Sequence, residues 1–114
     1  MSDNKRNHIR IKMDAQVYVE LAAATDTAEA ELERCTVEDV SFGGMRVLMN
    51  TEVTEGAILA ICAELPSMPE PFFMAAEVMW CRRQHKDNNW LAGFALIPSS
   101  DSDLSSWREL LEHV

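Results

Sequence analysis

A chain of 114 residues, 47% of them hydrophobic, has enough apolar material for one modest core and leaves no room for a second functional domain. Ten Lys and Arg against nineteen Asp and Glu give a net charge of −9, a balance that disfavours nucleic acid and anionic membrane as general partners. Cys35, Cys62 and Cys81 are odd in number and each sits in an apolar stretch, which points to buried thiols in a reducing cytosol, while His8, His85 and His113 are scattered without metal-ligand spacing.

Residues 1–12 reverse the sign of the charge. Lys5, Arg6, Arg10 and Lys12 stand against Asp3 alone, a net of +3, leaving −12 for the rest. This segment is too polar for a signal peptide, and the longest uncharged apolar run, 57–63, is far short of a membrane span, so a cytoplasmic protein without membrane insertion is expected. As a charged terminus with few packing partners, the segment reads as a flexible basic arm.

From Ile9 to Ala23 every odd position is apolar, the period of a strand with one face on a core, preceded by an extended arm in the same phase. The acidic, Ala- and Thr-rich stretch 25–31 is expected to be a hairpin loop, with a short helix by propensity as the alternative. Further strands are expected over 32–40, 45–49, 57–65, 72–82 and 90–97, with turns at Ser41-Phe42-Gly43-Gly44, at 66–71 and at the polar tip 85–89. Six short strands separated by turn signals suggest a closed antiparallel barrel, because closure removes exposed edges. Ser100 with Asp103 three residues on reads as a helix start, and Leu104, Trp107, Leu111 and Val114 recur at helical spacing. A single unit is therefore expected: an arm over 1–12, a barrel over 13–98 and a helix over 99–114 packed on it. Trp80, Trp90, Trp107 and the seven methionines read as core, and Glu29, Glu31 and Glu33 as a solvent-facing row.

Two fragments carry the chemistry. Arg6 and Arg10 are four apart, and about thirty residues later comes Asp39-Val40-Ser41-Phe42-Gly43-Gly44. Together and in this order they match RxxxR followed by [D/N]xSxxG at every fixed position, and the chain resembles the PilZ family. The resemblance implies a six-stranded antiparallel β-barrel with a C-terminal helix, and a receptor for the bacterial second messenger cyclic di-GMP. It implies no enzyme activity and no cofactor. Gly93-Phe94 in the last expected strand is similar to the family pattern as well.

The residue types suit that ligand. An arginine fork donates two parallel hydrogen bonds to guanine O6 and N7 and also neutralises phosphate, which a lysine does poorly. A carboxylate accepts from guanine N1–H and N2–H₂, a pattern adenine does not offer, so Asp39 is expected to select the base and Ser41 to donate to a phosphate or base oxygen. Gly43 and Gly44 are expected to permit a tight turn with positive φ and a close backbone approach to the ligand. The resemblance further implies that a basic residue at Lys5 favours a stacked pair of ligands over one. Arg46 reads as a solvated strand residue, with a phosphate contact as the alternative.

Arg6 and Arg10 lie on the arm, and Asp39 and Ser41 at the end of a strand. Only a folded-over arm joins them, so ligand binding is expected to order the arm and to signal to an unidentified downstream protein. A protein–protein adaptor that binds no cyclic di-GMP is the alternative. Ser41 lies outside any nucleophile elbow and has no partner His in sequence, so catalysis has no visible machinery.

Overall fold

Val17 and Val19 are fully buried, while Gln16, Tyr18 and Glu20 between them keep one side in solvent. That alternation, repeated strand after strand, wraps the chain around one apolar interior. The computed structural model describes residues 10–22, 26–84 and 89–112. Among them are six strands, β1 (Gln16–Ala22), β2 (Glu31–Ser41), β3 (Gly44–Met49), β4 (Ile58–Glu64), β5 (Phe72–Gln84) and β6 (Asn89–Ile97), followed by the helix α1 (Leu104–Glu112). All neighbours are antiparallel, and the sheet closes in the order β1-β2-β3-β6-β5-β4. The six-stranded barrel with a C-terminal helix is the fold read from the sequence.

Several boundaries differ. β1 begins at Gln16, not at Ile9: residues 12–15 are irregular, and Ile11 instead makes an isolated antiparallel bridge to Val40. Ile11 and Met13 still pack on the core, so the period-two pattern reported burial where it did not report strand pairing. The turn needing left-handed backbone is also elsewhere. Gly56, at φ +88°, closes the Thr54–Ala57 turn, whereas neither Gly43 nor Gly44 adopts positive φ.

The interior is filled by Val17, Val19, Val40, Met45, Val47, Met49, Val78 and Trp107, all essentially inaccessible. Trp107 on α1 meets Phe72 edge to face at 5.3 Å, which seats the helix on β5. Ser100 does not cap this helix. Asp103 immediately precedes it and accepts the first helical bond from Trp107 N–H, and the Ser102 hydroxyl accepts from Leu104 N–H. The Asp103 carboxylate is taken by Phe73 N–H at 2.8 Å, and Asp103 N–H returns a 2.8 Å bond to Phe73 O. Val114 lies outside the described residues.

The expected core needs correcting too. Trp80 and Trp90 are only half-buried, Met68 and Met79 are exposed, and Cys62 and Cys81 are half-buried, leaving Cys35 as the buried thiol. Burial, aided by the adjacent Glu33 carboxylate, pushes the Cys35 thiol up to about 12. Glu33 is not a free surface charge: its carboxylate accepts from Asn50 N–H and Thr51 Oγ1, each at 2.5 Å.

Candidate functional site

Two β-bulges build the site. On β2 the register with β3 slips between Val37, which faces Val47, and Asp39, which faces Arg46, so Glu38 is the extra residue. Strict alternation would send Asp39 inward with Cys35 and Val37. The bulge turns it onto the outer face and returns Val40 to the core opposite Met45. On β5 the same slip occurs between Val78, opposite Phe94, and Trp80, opposite Gly93, with Met79 as the extra residue. Since Arg46 pairs with Gly93 across β3 and β6, the two bulges deliver one continuous outer row: Asp39, Arg46, Gly93, Trp80.

Asp39 is 2% exposed although it lies on the outer face, because two arginines cover it. Arg46 Nε donates to Oδ1 at 3.1 Å and to Oδ2 at 2.9 Å, and Arg46 Nη2 donates to Oδ2 as well. Arg10 Nη1 donates to Oδ1 at 3.0 Å. These bonds compensate a buried charge that would otherwise be strongly unfavourable. The hydrogen bonds from Arg46, followed by the positive charge of Arg46 and Arg10, hold the Asp39 carboxyl below the usual carboxylate range against the opposing effect of burial. Arg46 is therefore not the solvated strand residue expected from sequence, but a fork clamped on Asp39.

The arm and the barrel already meet at Arg10. Ile11 N–H donates to Val40 O at 2.7 Å and Val40 N–H to Ile11 O at 2.9 Å, which sets Arg10 beside Asp39. Arg6 and Lys5 lie outside the described residues.

Ser41 is buried, ends β2 two residues beyond Asp39, and pairs with Gly44 across the Phe42-Gly43 turn. Gly44 is small for a reason other than φ. A Cβ there would run into the carbonyl oxygen of Phe94, so the glycine lets β3 approach β6. Gly43 has open space where a side chain would project, and its carbonyl accepts from Leu96 N–H at 2.9 Å. From α1, Arg108 Nε donates to Phe42 O at 3.1 Å while its guanidinium sits 5.0 Å from the Phe42 ring centre.

Trp80 is the member of the row that sequence reasoning missed, having read it as core. Its indole lies across Gly93, where a side chain would collide with the ring, and the Arg82 guanidinium stands 4.6 Å from the ring centre. The signal was present in the sequence as Gly93 on one strand and a tryptophan just past an out-of-phase methionine on its neighbour. An arginine-held carboxylate, a second arginine and a flat aromatic surface on one outer row can grip a planar, hydrogen-bonding, anionic ligand. Among the described residues there is no group of three or more His, Cys, Asp or Glu placed to hold a metal ion, and no helix long and apolar enough to cross a membrane.

Comparison with known proteins agrees with this architecture. Solved structures that share the fold include these three. One is the Bacillus subtilis inhibitor of motility MotI/DgrA, with TM-score 0.68 and 15% identity over 92% of this chain and 48% of that one. The second is the K. pneumonia MrkH–c-di-GMP complex, with TM-score 0.68 and 14% identity over 91% and 49%. The third is the PilZ domain of YcgR from Escherichia coli with c-di-GMP, with TM-score 0.64 and 18% identity over 91% and 87%. The chain thus spans about half the length of the first two. No curated protein matches it in sequence. The family model for the PilZ domain matches residues 4–113, nearly the whole chain, and the protein belongs to the PilZ domain family.

Proposed function

We propose that the protein is a cyclic di-GMP receptor that binds its ligand on the outer row Asp39, Arg46, Gly93, Trp80 and relays the signal to a partner protein. The observation that carries this reading is the convergence of Arg10 and Arg46 on the Asp39 carboxylate, in one row with the indole of Trp80. Two of the structures with this fold are c-di-GMP complexes, which supports the choice of ligand.

A guanine edge competes with an arginine for the Asp39 oxygens. Whichever arginine is released becomes a free fork for guanine O6 and N7 or for a phosphate, so one donor set is exchanged for another with little net loss. Stacking magnitudes favour the ligand as well. A base on an aromatic ring is worth about 1–3 kcal/mol, whereas an exposed arginine on the same ring contributes about 0.5–1 kcal/mol. Arg82 therefore yields the Trp80 face to a base and moves toward its phosphate. Ser41 adds a hydroxyl donor at the end of the row. Arg6 and Lys5, four and five residues before Arg10, extend the cationic reach over the second phosphate, and their ordering is the step that alters the surface offered to a partner.

Isothermal titration with cyclic di-GMP tests the reading, with Asp39→Ala, Trp80→Ala and GTP run beside it. Binding that both variants weaken at least tenfold and that GTP does not reproduce is expected. No heat at high micromolar ligand, with unchanged amide spectra, overturns it in favour of an adaptor that works through protein contacts alone.

A further inference from the structure

On the wall of the barrel opposite the candidate ligand row, β4 turns Ile58, Ala60 and Cys62 outward, and Tyr18 stands beside them on the outer face of β1 between Gln16 and Glu20, so an apolar strip lies where solvent-facing strand positions are usually polar. In the closed order, β1 lies across from β6 and β4 across from β3, so this wall and the row Asp39–Trp80 cannot compete for one ligand. Register places Tyr18 between Arg34 and Cys62, and Cys62 next to Phe73, in one cross-strand line. The result is an open groove of about 450 Å³ whose floor is Tyr18, Ala60 and Cys62 and whose shoulders are Leu32 and Phe73. Both shoulders are 58% exposed, and Ile58, one step along β4 from Ala60, is 60% exposed. Large apolar side chains at such exposure, grouped on one wall, mark an interaction surface.

The backbone of Phe73 is fixed on both sides by Asp103, which donates to its carbonyl and accepts from its N–H, so the side chain projects from a defined point beside the groove. The small residues Ala60 and Cys62, set among the larger Tyr18, Leu32 and Phe73, leave a slot, the shape that receives apolar side chains projecting from another chain.

The charge around the groove selects the occupant. Glu20 lines it, Glu64 lies two residues beyond Cys62 on β4 and Glu77 faces Ile58 across β4 and β5, and none of the three is in an ion pair among the described residues. Arg34 at the edge donates to the neutral Gln16 Oε1 and keeps its positive charge, which the three carboxylates outnumber. A second copy would bring the same carboxylates and a net charge of −9 against them. We propose that this groove docks a basic amphipathic segment of a partner protein, with apolar residues in the slot and Lys or Arg over Glu20, Glu64 and Glu77. It takes up the relay step of the proposed function and rests on that reading for its biological sense, though not for its geometry.

The test uses the full chain, ¹⁵N-labelled, and a helical Leu/Lys peptide of about 18 residues with its leucines confined to one face. A peptide of the same composition with leucines spread over both faces is the control. The expected result is saturable shifts at Tyr18, Leu32, Ala60, Cys62 and Phe73, slower alkylation of Cys62, and affinity about tenfold weaker in Leu32→Ser and in Phe73→Ser. Glu20→Gln and Glu77→Gln should weaken binding and flatten its salt dependence. Shifts scattered over the acidic surface, equal for both peptides and unmoved by the variants, overturn the proposal. So do concentration-dependent shifts of the same amides without peptide, which assign the groove to a second copy. Cyclic di-GMP is titrated in the same tubes and read at Arg46 and Trp80, so failure of the receptor reading shows there, while failure of the groove shows at Leu32 and Phe73.

Discussion

The indole of Trp80 occupies the space a side chain on Gly93 would need: a Cβ there would overlap Nε1 and Cε2 and stand 2.8 Å from Cζ2. The glycine is thus what allows the ring to lie on the sheet. Gly93→Ala should lift the ring, at a cost of about 1–3 kcal/mol for overpacking, and weaken cyclic di-GMP binding tenfold or more while the barrel remains folded. Tryptophan fluorescence during titration reads the ring directly, and unchanged affinity in this variant would remove Trp80 from the site.

Arg46 should matter for stability as well as for binding. Its replacement by alanine leaves Asp39 covered by Arg10 alone, and the lost charge-assisted bonds amount to about 2 kcal/mol. Urea unfolding should show a lower midpoint with an unchanged slope. Arg46→Lys should recover little, because an ammonium cannot serve both carboxylate oxygens in one plane.

The two neighbouring glycines should separate cleanly. Gly44→Ala forces a Cβ against the Phe94 carbonyl and should destabilise the barrel by more than about 1 kcal/mol, whereas Gly43→Ala meets nothing within 4 Å and should unfold like the parent. Thermal melts of the pair suffice. Equal melting would mean that β3 and β6 do not approach as closely as Gly44 indicates.

Asp39 supplies a pH signature. Its carboxyl is held below the ordinary value in the folded state, so over the window between the folded and unfolded values the unfolded chain binds more protons. The contribution is complete above the ordinary carboxylate range and is lost as pH falls through the folded value. Stability between about pH 5 and pH 2 should therefore fall more steeply in the parent than in Asp39→Asn. Parallel curves would show that Asp39 is not the group responsible.

Thiol chemistry should follow burial. Cys35, raised to about 12, should resist iodoacetamide at mildly alkaline pH until the protein unfolds, whereas Cys62, half-buried and held above the ordinary thiol value by burial and by the Glu64 and Asp103 charges, should react slowly but ahead of Cys35.

Much of this architecture was legible in the alternation of residues. Val17 and Val19 against Tyr18 and Glu20 define β1's two faces, and the Asp39 to Gly44 motif locates the turn between β2 and β3. What period two cannot express is a one-residue slip, because a bulge exists only relative to a partner strand. Asp39 is in phase with buried Cys35 and Val37, and Trp80 is in phase with buried Met74, Ala76 and Val78, so unbroken alternation sends both into the core. The visible clue was the next buried residue arriving out of phase, Val40 after Val37. The reason for Gly44 was equally hidden, since contact with the Phe94 carbonyl depends on a strand far along the chain. Ser100 was a plausible cap by spacing, but Asp103's bonds to Phe73 set where the helix starts.

The pairing of Arg46 with Gly93 has a kinetic consequence. β3 and β6, like β1 and β4, are separated in the chain by two intervening strands, so these two seams close late and slowly compared with the β1–β2 and β2–β3 hairpins. The row Asp39, Arg46, Gly93, Trp80 runs straight over one of them. A molecule that grips both ends of that row braces the slow seam and must raise the stability of the fold by mass action, by about 2.7 kcal/mol at a hundred times its dissociation constant. Conversely, a nascent chain that has not yet synthesised β6 has the motif but not the row, which arrives only with the completed barrel.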